Sequence, residues 1–210
     1  MNEFALEDYL EKHTTGPSEL LLEMIRLTNL RTRFPRMLSG HIQGKFLEMV
    51  SKMLKPKRIL EIGTFTGYSA LSLAEGLVED GKLVTIEYDE EYEDLIRYFI
   101  EKSGNGARIQ LLIGDAKLIL PTIDEIFDLV FIDADKFGYP VYYEQVMEKL
   151  HSGGIILVDN VLWSGKVVNP GSKDAETAAI IKFNNIVAND PRVEQVLLPL
   201  RDGLMMIRKL

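Results

Sequence analysis

Two short apolar runs in this chain end in oxygen-bearing side chains: Phe131-Ile132-Asp133-Ala134-Asp135-Lys136 and Val158-Asp159-Asn160. If the runs are neighbouring parallel strands, about 5 Å apart, Asp133, Asp159 and Asn160 converge on one point. Two carboxylates and an amide oxygen, with positions left open for water or substrate, suit a hard cation such as Mg²⁺. The same residue types also serve as helix caps at strand ends, and Lys136 equally suits an ion pair with Asp135. The histidines His13, His41 and His151 are scattered along the chain and read as surface or packing residues rather than as further ligands.

A second constellation is Glu61-Ile62-Gly63-Thr64-Phe65-Thr66-Gly67-Tyr68-Ser69, a turn whose glycines let backbone approach a ligand closely. Glu87 closes the next apolar run 20 residues beyond Gly67, where a carboxylate can accept hydrogen bonds from both hydroxyls of a ribose. Nicotinamide enzymes share this combination. Glu61, however, stands two residues before Gly63, where the dinucleotide fingerprint needs its first glycine for the tight turn. A carboxylate there repels a pyrophosphate and suits a cationic ligand with a free amino group. An ordinary strand-to-helix turn with solvated acids is the plainer alternative.

These residues need elements to position them. From residue 58 onward, continuous apolar runs at 58–62, 83–87, 109–113, 128–132 and 154–158 alternate with helical patterns at 68–77, 90–102 and 142–150. Continuous rather than alternating runs fit parallel strands covered on both faces, and their alternation with helices predicts a doubly wound α/β sheet. In such a sheet ligands bind beyond the carboxyl ends of the strands, where the acids and glycines above collect. Residues 193–199 and 204–209 flank Leu200-Arg201-Asp202-Gly203, an Asp-Gly turn signal, and predict an antiparallel hairpin at the sheet edge. Before residue 57, Leu20, Leu21, Met24, Ile25, Leu27 and then Phe46, Leu47, Val50, Met53 and Leu54 recur at helical spacing, interrupted by Phe34-Pro35-Arg36.

Composition narrows the class. A chain of 210 residues fits one domain with a sizeable core, and no repeat or linker divides it. With 46% hydrophobic and 27% charged residues it matches the average of soluble globular proteins, which excludes disorder and fibrous classes. The longest apolar runs, such as Ile155-Ile156-Leu157-Val158, are too short to span a bilayer. The segment Met1-Asn2-Glu3-Phe4-Ala5-Leu6-Glu7-Asp8 carries acids where a secretory leader carries Lys or Arg, so a cytoplasmic location is the default expectation. The absence of cysteine excludes disulfides, thiolate metal sites and cysteine nucleophiles. A net charge of −8 argues against a nucleic-acid surface, although Arg26, Arg31, Arg33, Arg36, Lys45 and Lys52 form a local basic group.

Taken with Gly114-Asp115-Ala116, Asp159-Asn160-Val161-Leu162-Trp163 and the closing Leu198-Pro199-Leu200-Arg201-Asp202-Gly203, these motifs occur in one order from about Arg33 to Leu210. In that order they resemble the metal-dependent class I O-methyltransferases related to catechol and caffeoyl-CoA O-methyltransferases. The resemblance implies a seven-stranded, mostly parallel, Rossmann-like S-adenosylmethionine (SAM) methyltransferase core over 57–210, with residues 1–56 as an N-terminal helical cap. It implies Mg²⁺, or Mn²⁺ or Ca²⁺ in its place, held by Asp133, Asp159 and Asn160, with Lys136 and Asp133 catalytic. Cofactor contacts are implied for Met37, Ser39, Glu61, Gly63, Ser69, Glu87, Asp115, Ala116 and Asp133, with Glu87 on the ribose and Ala116 near the adenine. Trp163 and Lys136 fall where the acceptor is bound, and the stretch 162–176, with Gly165, Pro170 and Gly171, is expected to close over it. A small catechol-like acceptor and a homodimer are implied as well. Ile42 departs from the pattern, since relatives often carry an acid there. Two other functions stay in view: methylation of a hydroxylated wobble uridine (5-hydroxyuridine) in tRNA, and an NAD-dependent oxidoreductase, for which the oxygen cluster would have no task.

Overall fold

The computed structural model describes residues 3–168 and 174–210. The five apolar runs form β1 (Arg58–Ile62), β2 (Lys82–Glu87), β3 (Ile109–Ile113), β4 (Phe127–Ile132) and β5 (Leu150–Asp159), and the hairpin forms β6 (Val193–Leu198) and β7 (Leu204–Lys209). They build a seven-stranded sheet in the order β3-β2-β1-β4-β5-β7-β6. The first five strands are parallel, and β7 runs antiparallel to both β5 and β6. β5 starts earlier than expected because its first residues, Leu150-His151-Ser152-Gly153, are not an apolar run; Leu150 pairs with Phe127 before the register shifts.

The helices are α1 (Glu3–Lys12), α2 (Glu19–Arg31), α3 (Gly40–Leu54), α4 (Tyr68–Ala74), α5 (Glu93–Lys102), α6 (Ala116–Ile119), α7 (Tyr139–Glu148) and α8 (Ala175–Ala188). α2 and α3 flank a 3₁₀ turn at Pro35–Met37, as the Phe34-Pro35-Arg36 interruption predicts. α7 lies three residues ahead of its expected start, because Pro140 sits in its first turn, where a preset φ and a missing N–H are harmless. Its expected last residue, Leu150, belongs to β5 instead. α8 was not expected from periodicity. Its signals are an Asp174 side chain that accepts from Glu176 N–H at 3.1 Å and buried Ile180, Phe183 and Val187 at helical spacing.

Helices cover both faces of the sheet. On one face Leu47 and Val50 of α3, Leu71 of α4 and Phe99 of α5 join a core with Ile59, Leu83, Phe131 and Leu157. On the other, Tyr139, Tyr143 and Val146 of α7 and Phe183 and Val187 of α8 pack with Leu60, Ile62, Val130, Ile132 and Val158. Each such side chain contributes about 1.5–3 kcal/mol when fully buried. That double cover is why the strands read as continuous apolar runs.

The register lines up the strand ends. Ile62 pairs with Ile86 and Ile132, and Ile132 with Val158, so these four residues share one row. The next residue on each strand is therefore Gly63, Glu87, Asp133 or Asp159, in a single row at the carboxyl edge. Gly63 holds the row tight: with φ +95°, a Cβ there would lie 1.9 Å from the Asp133 carbonyl oxygen. We expect Gly63→Ala to lower stability by about 3 kcal/mol or more, from backbone strain and overpacking together, as measured by chemical denaturation. A loss below about 1 kcal/mol would mean that the two strand ends do not depend on this contact.

Candidate functional site

A cleft of about 1040 Å³ opens above this row, between the carboxyl ends of the strands and the 36–39 segment that leads into α3. Its wall includes Met37 and Ser39 before α3, Gly63 and Ser69 from the glycine turn and the start of α4, and Glu87 at the end of β2. Asp115 and Ala116 contribute from the start of α6, and Asp133, Lys136, Asp159, Asn160 and Trp163 from the loops after β4 and β5. Of the residues implied to touch donor, cation or acceptor, Glu61 alone does not line the cleft. It sits on β1 behind the wall, with no solvent exposure.

The glycine-turn side is built from backbone. Glu87 Oε2 accepts from the N–H of Thr64 at 3.1 Å and of Phe65 at 2.6 Å, and Oε1 from the N–H of Asp89 at 2.9 Å. The carboxylate thus ties the turn to the end of β2 while it faces the cleft. Burial pushes its pKa up, against the pull of these three N–H groups. Glu61 has weaker company: Thr85 donates to Oε2 at 2.5 Å, and Oε1 is buried with no partner among the described residues. Burial first, then the charges of Asp133 and Glu87, push the Glu61 carboxyl up to about 8, against hydroxyl hydrogen bonds from Ser69 and Thr85.

The opposite side gathers the oxygen cluster. Lys136 Nζ donates to Asp133 Oδ1 at 3.2 Å, Asn160 Oδ1 at 2.8 Å and the Tyr139 hydroxyl at 2.5 Å, so three acceptors meet its three hydrogens. Asp133 and Asn160 thereby converge on one cationic centre. Lys136 is not paired with Asp135, which accepts instead from Tyr142 and, at 3.3 Å, from Lys117. Asp159, 1% exposed, accepts from Asn160 N–H at 2.8 Å and from Gln43 at 2.6 Å. Burial, and next the charge of Asp133, push its carboxyl up to about 6. No group of three His, Cys, Asp or Glu side chains that could hold a metal ion occurs among the described residues. The candidate cation site is therefore the two aspartates with the Asn160 amide, a donor set that fits a hard cation with open positions.

Trp163 closes the outer end, with the Lys136 ammonium 5.8 Å from its ring centre and its indole N–H donating to Asp174 at 3.3 Å. Of the stretch expected to close over the acceptor, Pro170 and Gly171 lie outside the described residues. Sequence reasoning did not single out Tyr139, Gln43 or Arg201. Tyr139 is fully buried, accepts from Lys136 and donates to the Asp159 carbonyl at 2.8 Å. Gln43 had a legible signal, a polar residue on the face of α3 that buries Leu47 and Val50.

A family model described as O-methyltransferase matches residues 11–210. Caffeoyl-CoA O-methyltransferase of Petroselinum crispum is 32% identical, covering 98% of this chain and 91% of its own. Probable caffeoyl-CoA O-methyltransferase 2 of Dictyostelium discoideum is 34% identical over 97% of this chain and 90% of its own. Among solved structures, the SAH-bound Podospora anserina methyltransferase superposes with a TM-score of 0.91 at 34% identity, covering 100% of this chain and 96% of its own. The Bacillus cereus O-methyltransferase in complex with SAH does so with a TM-score of 0.91 at 31% identity, covering 98% and 97%. The chain belongs to the class I O-methyltransferase family of the caffeoyl-CoA O-methyltransferase-like type. It is a SAM-dependent O-methyltransferase.

The raised Glu61 pKa has a definite sign in stability. An acid whose pKa is higher folded than unfolded contributes stability that is full below its ordinary 4.5 and lost as pH rises through about 8. We expect the ligand-free Glu61→Gln variant to gain thermal stability relative to the parent as pH rises from about 5 to about 9. A constant difference across that range would show that Glu61 is ionised in the folded protein throughout.

Proposed function

We propose that this enzyme methylates one hydroxyl of a small vicinal dihydroxy aromatic acceptor, with a divalent cation, Mg²⁺ by preference, held by Asp133, Asp159 and Asn160. The observation that carries this reading is the oxygen cluster around Lys136 at the end of the cleft opposite the glycine turn and Glu87. A cation held there, beside the fixed ammonium, would stand near the position an acceptor oxygen needs to reach the donor methyl group.

SAM, when bound, would supply an electrophilic methyl group on its sulfonium, with the thioether as leaving group. The chain's task is then alignment and ionisation of the acceptor oxygen. Glu87, which lines the cleft at the end of β2, would receive the ribose hydroxyls. A phenol with a pKa of about 10 is ionised in about one molecule in a thousand at pH 7, a penalty of about 4 kcal/mol. A divalent cation held by Asp133, Asp159 and Asn160 would supply the positive charge that lowers that pKa and orients a vicinal diol. Lys136 adds positive charge beside the same oxygen, and Tyr139 holds the Nζ in place from behind. Trp163 gives the ring an apolar wall.

A tRNA acceptor fits less well. Lys45 and Lys52 of the local basic group are both engaged by Glu48, at 2.5 and 2.6 Å, which leaves fewer cations for phosphate.

Purified enzyme with labelled SAM and Mg²⁺ is expected to methylate catechols of the caffeate type and to lose that activity in excess EDTA, with Mn²⁺ or Mg²⁺ restoring it. Undiminished turnover in EDTA would sink the cation-assisted mechanism. Efficient labelling of total tRNA alongside trace activity on catechols would replace the acceptor and leave the donor site standing. Lys136→Met is expected to lower kcat by about 10²–10⁴-fold while calorimetry finds SAH affinity unchanged; equal losses in both would mean that Lys136 shapes the cleft as a whole.

A further inference from the structure

We propose that Gln43 and Arg201 are positioning residues that hold the Asp159 carboxylate in the orientation in which it coordinates the divalent cation, an inference that rests on the cation-assisted reading above.

The geometry is specific to atoms. Asp159 ends β5 with its Oδ1 taken by the Asn160 N–H at 2.8 Å and its Oδ2 by Gln43 Nε2 at 2.6 Å. Two donors arriving on different oxygens fix both side-chain torsions, so the remaining lone pairs point in one direction. Gln43 reaches across from α3, and its side chain is wholly buried. A glutamine amide can present either its oxygen or its nitrogen, and both look alike in shape. Arg201 removes the ambiguity: its Nη1 donates to Gln43 Oε1 at 3.2 Å, and a guanidinium offers hydrogens only. The amide nitrogen is thereby turned toward Asp159.

Arg201 itself is held from the turn between β6 and β7, where its backbone has φ +49°. The same guanidinium donates to the Ser39 carbonyl and, at 3.2 Å, to the Leu38 carbonyl. Leu38 and Ser39 line the cleft. One side chain from the end of the chain thus clasps the entry to α3 and, through Gln43, the cation-side carboxylate. An amide buried on an apolar helix face costs stability unless both its ends are bonded. Here both ends serve the site, one bonding a carboxylate at the cation site and the other a residue that shapes the cleft wall. Gln43 does not line the cleft, so its influence runs through Asp159.

The test compares the parent with Gln43→Met, which keeps the length and loses both amide atoms, and with Arg201→Met. Mn²⁺ binding is measured by calorimetry, and SAH binding separately in metal-free buffer. For Gln43→Met we expect Mn²⁺ affinity to fall by about 10–100-fold with SAH affinity unchanged, since groups hydrogen-bonded behind a metal ligand carry that weight. For Arg201→Met both affinities are expected to fall, because the clasp on Leu38 and Ser39 is lost with the one on Gln43. Parental Mn²⁺ affinity in folded Gln43→Met, or parallel losses of Mn²⁺ and SAH in that variant, would overturn the proposal. If Gln43→Met does not fold, Arg201→Met decides: it alters an exposed turn residue, and parental Mn²⁺ affinity there overturns the proposal equally. A parent that takes up no Mn²⁺ sinks the cation-assisted reading itself and this inference with it; parental uptake with unaffected variants sinks the inference alone.

Discussion

The glycine turn and the oxygen cluster meet where Gly63 lies against the carbonyl of Asp133, an approach that leaves no room for a Cβ. The backbone ladder continues past the formal strand ends at this point: Gly63 N–H donates to Ile86 O and Asp133 N–H to Ile62 O, both at 2.9 Å. Because the turn after β1 stays in contact with the end of β4, the row of Gly63, Glu87, Asp133 and Asp159 is unbroken. A side chain at residue 63 would lift the glycine turn from β4 and break the row. Alignment of two reactants within a bond's reach is the larger part of what such an enzyme supplies.

The row is also a concentration of buried acid, and each carboxylate is compensated differently. Glu87 is held by three backbone N–H groups, Asp159 by a backbone N–H and an amide, and Asp133 by the ammonium of Lys136. Glu61 has hydroxyl donors only, and one of its oxygens is left over. A cleft with this balance favours ligands that bring positive charge, as a sulfonium with a free amino group does. It disfavours a pyrophosphate, which is the physical reason that a glycine turn shared with nicotinamide enzymes serves a different donor here.

The elements outside the parallel core have a share in this balance. Arg201 arrives from the antiparallel hairpin and Gln43 from the helical N-terminal part, and they meet behind Asp159. Tyr139, from the first turn of α7, closes the same arrangement from the other face of the sheet. The carboxyl edge is thus supported from three directions by groups that lie far apart in the chain.

Much of this was legible in the sequence. Continuous apolar runs reveal strands covered on both faces, because burial on two sides leaves no polar alternation, and acids and glycines at their ends mark the ligand side of a doubly wound sheet. Those signals are local, and they sufficed for the strands, the hairpin and the acids and glycines at the strand ends, whereas Met37, Ser39, Asp115, Ala116 and Trp163 were singled out by the family resemblance alone. Local signals did not suffice where the deciding partner is distant. That Glu61 lies behind the wall rather than in it follows from which face of β1 is packed, and that Lys136 bonds Asp133, Asn160 and Tyr139 instead of Asp135 follows from where β5 lies. α8 was missed because its face is read only once Phe183 has Tyr139 and Tyr143 to pack against. Gln43 and Arg201 stand 158 residues apart, and no periodicity joins them. Hydrogen-bond partners across such separations are set by the folded backbone, which brings together side chains whose types the sequence specifies and whose neighbours it leaves to the tertiary structure.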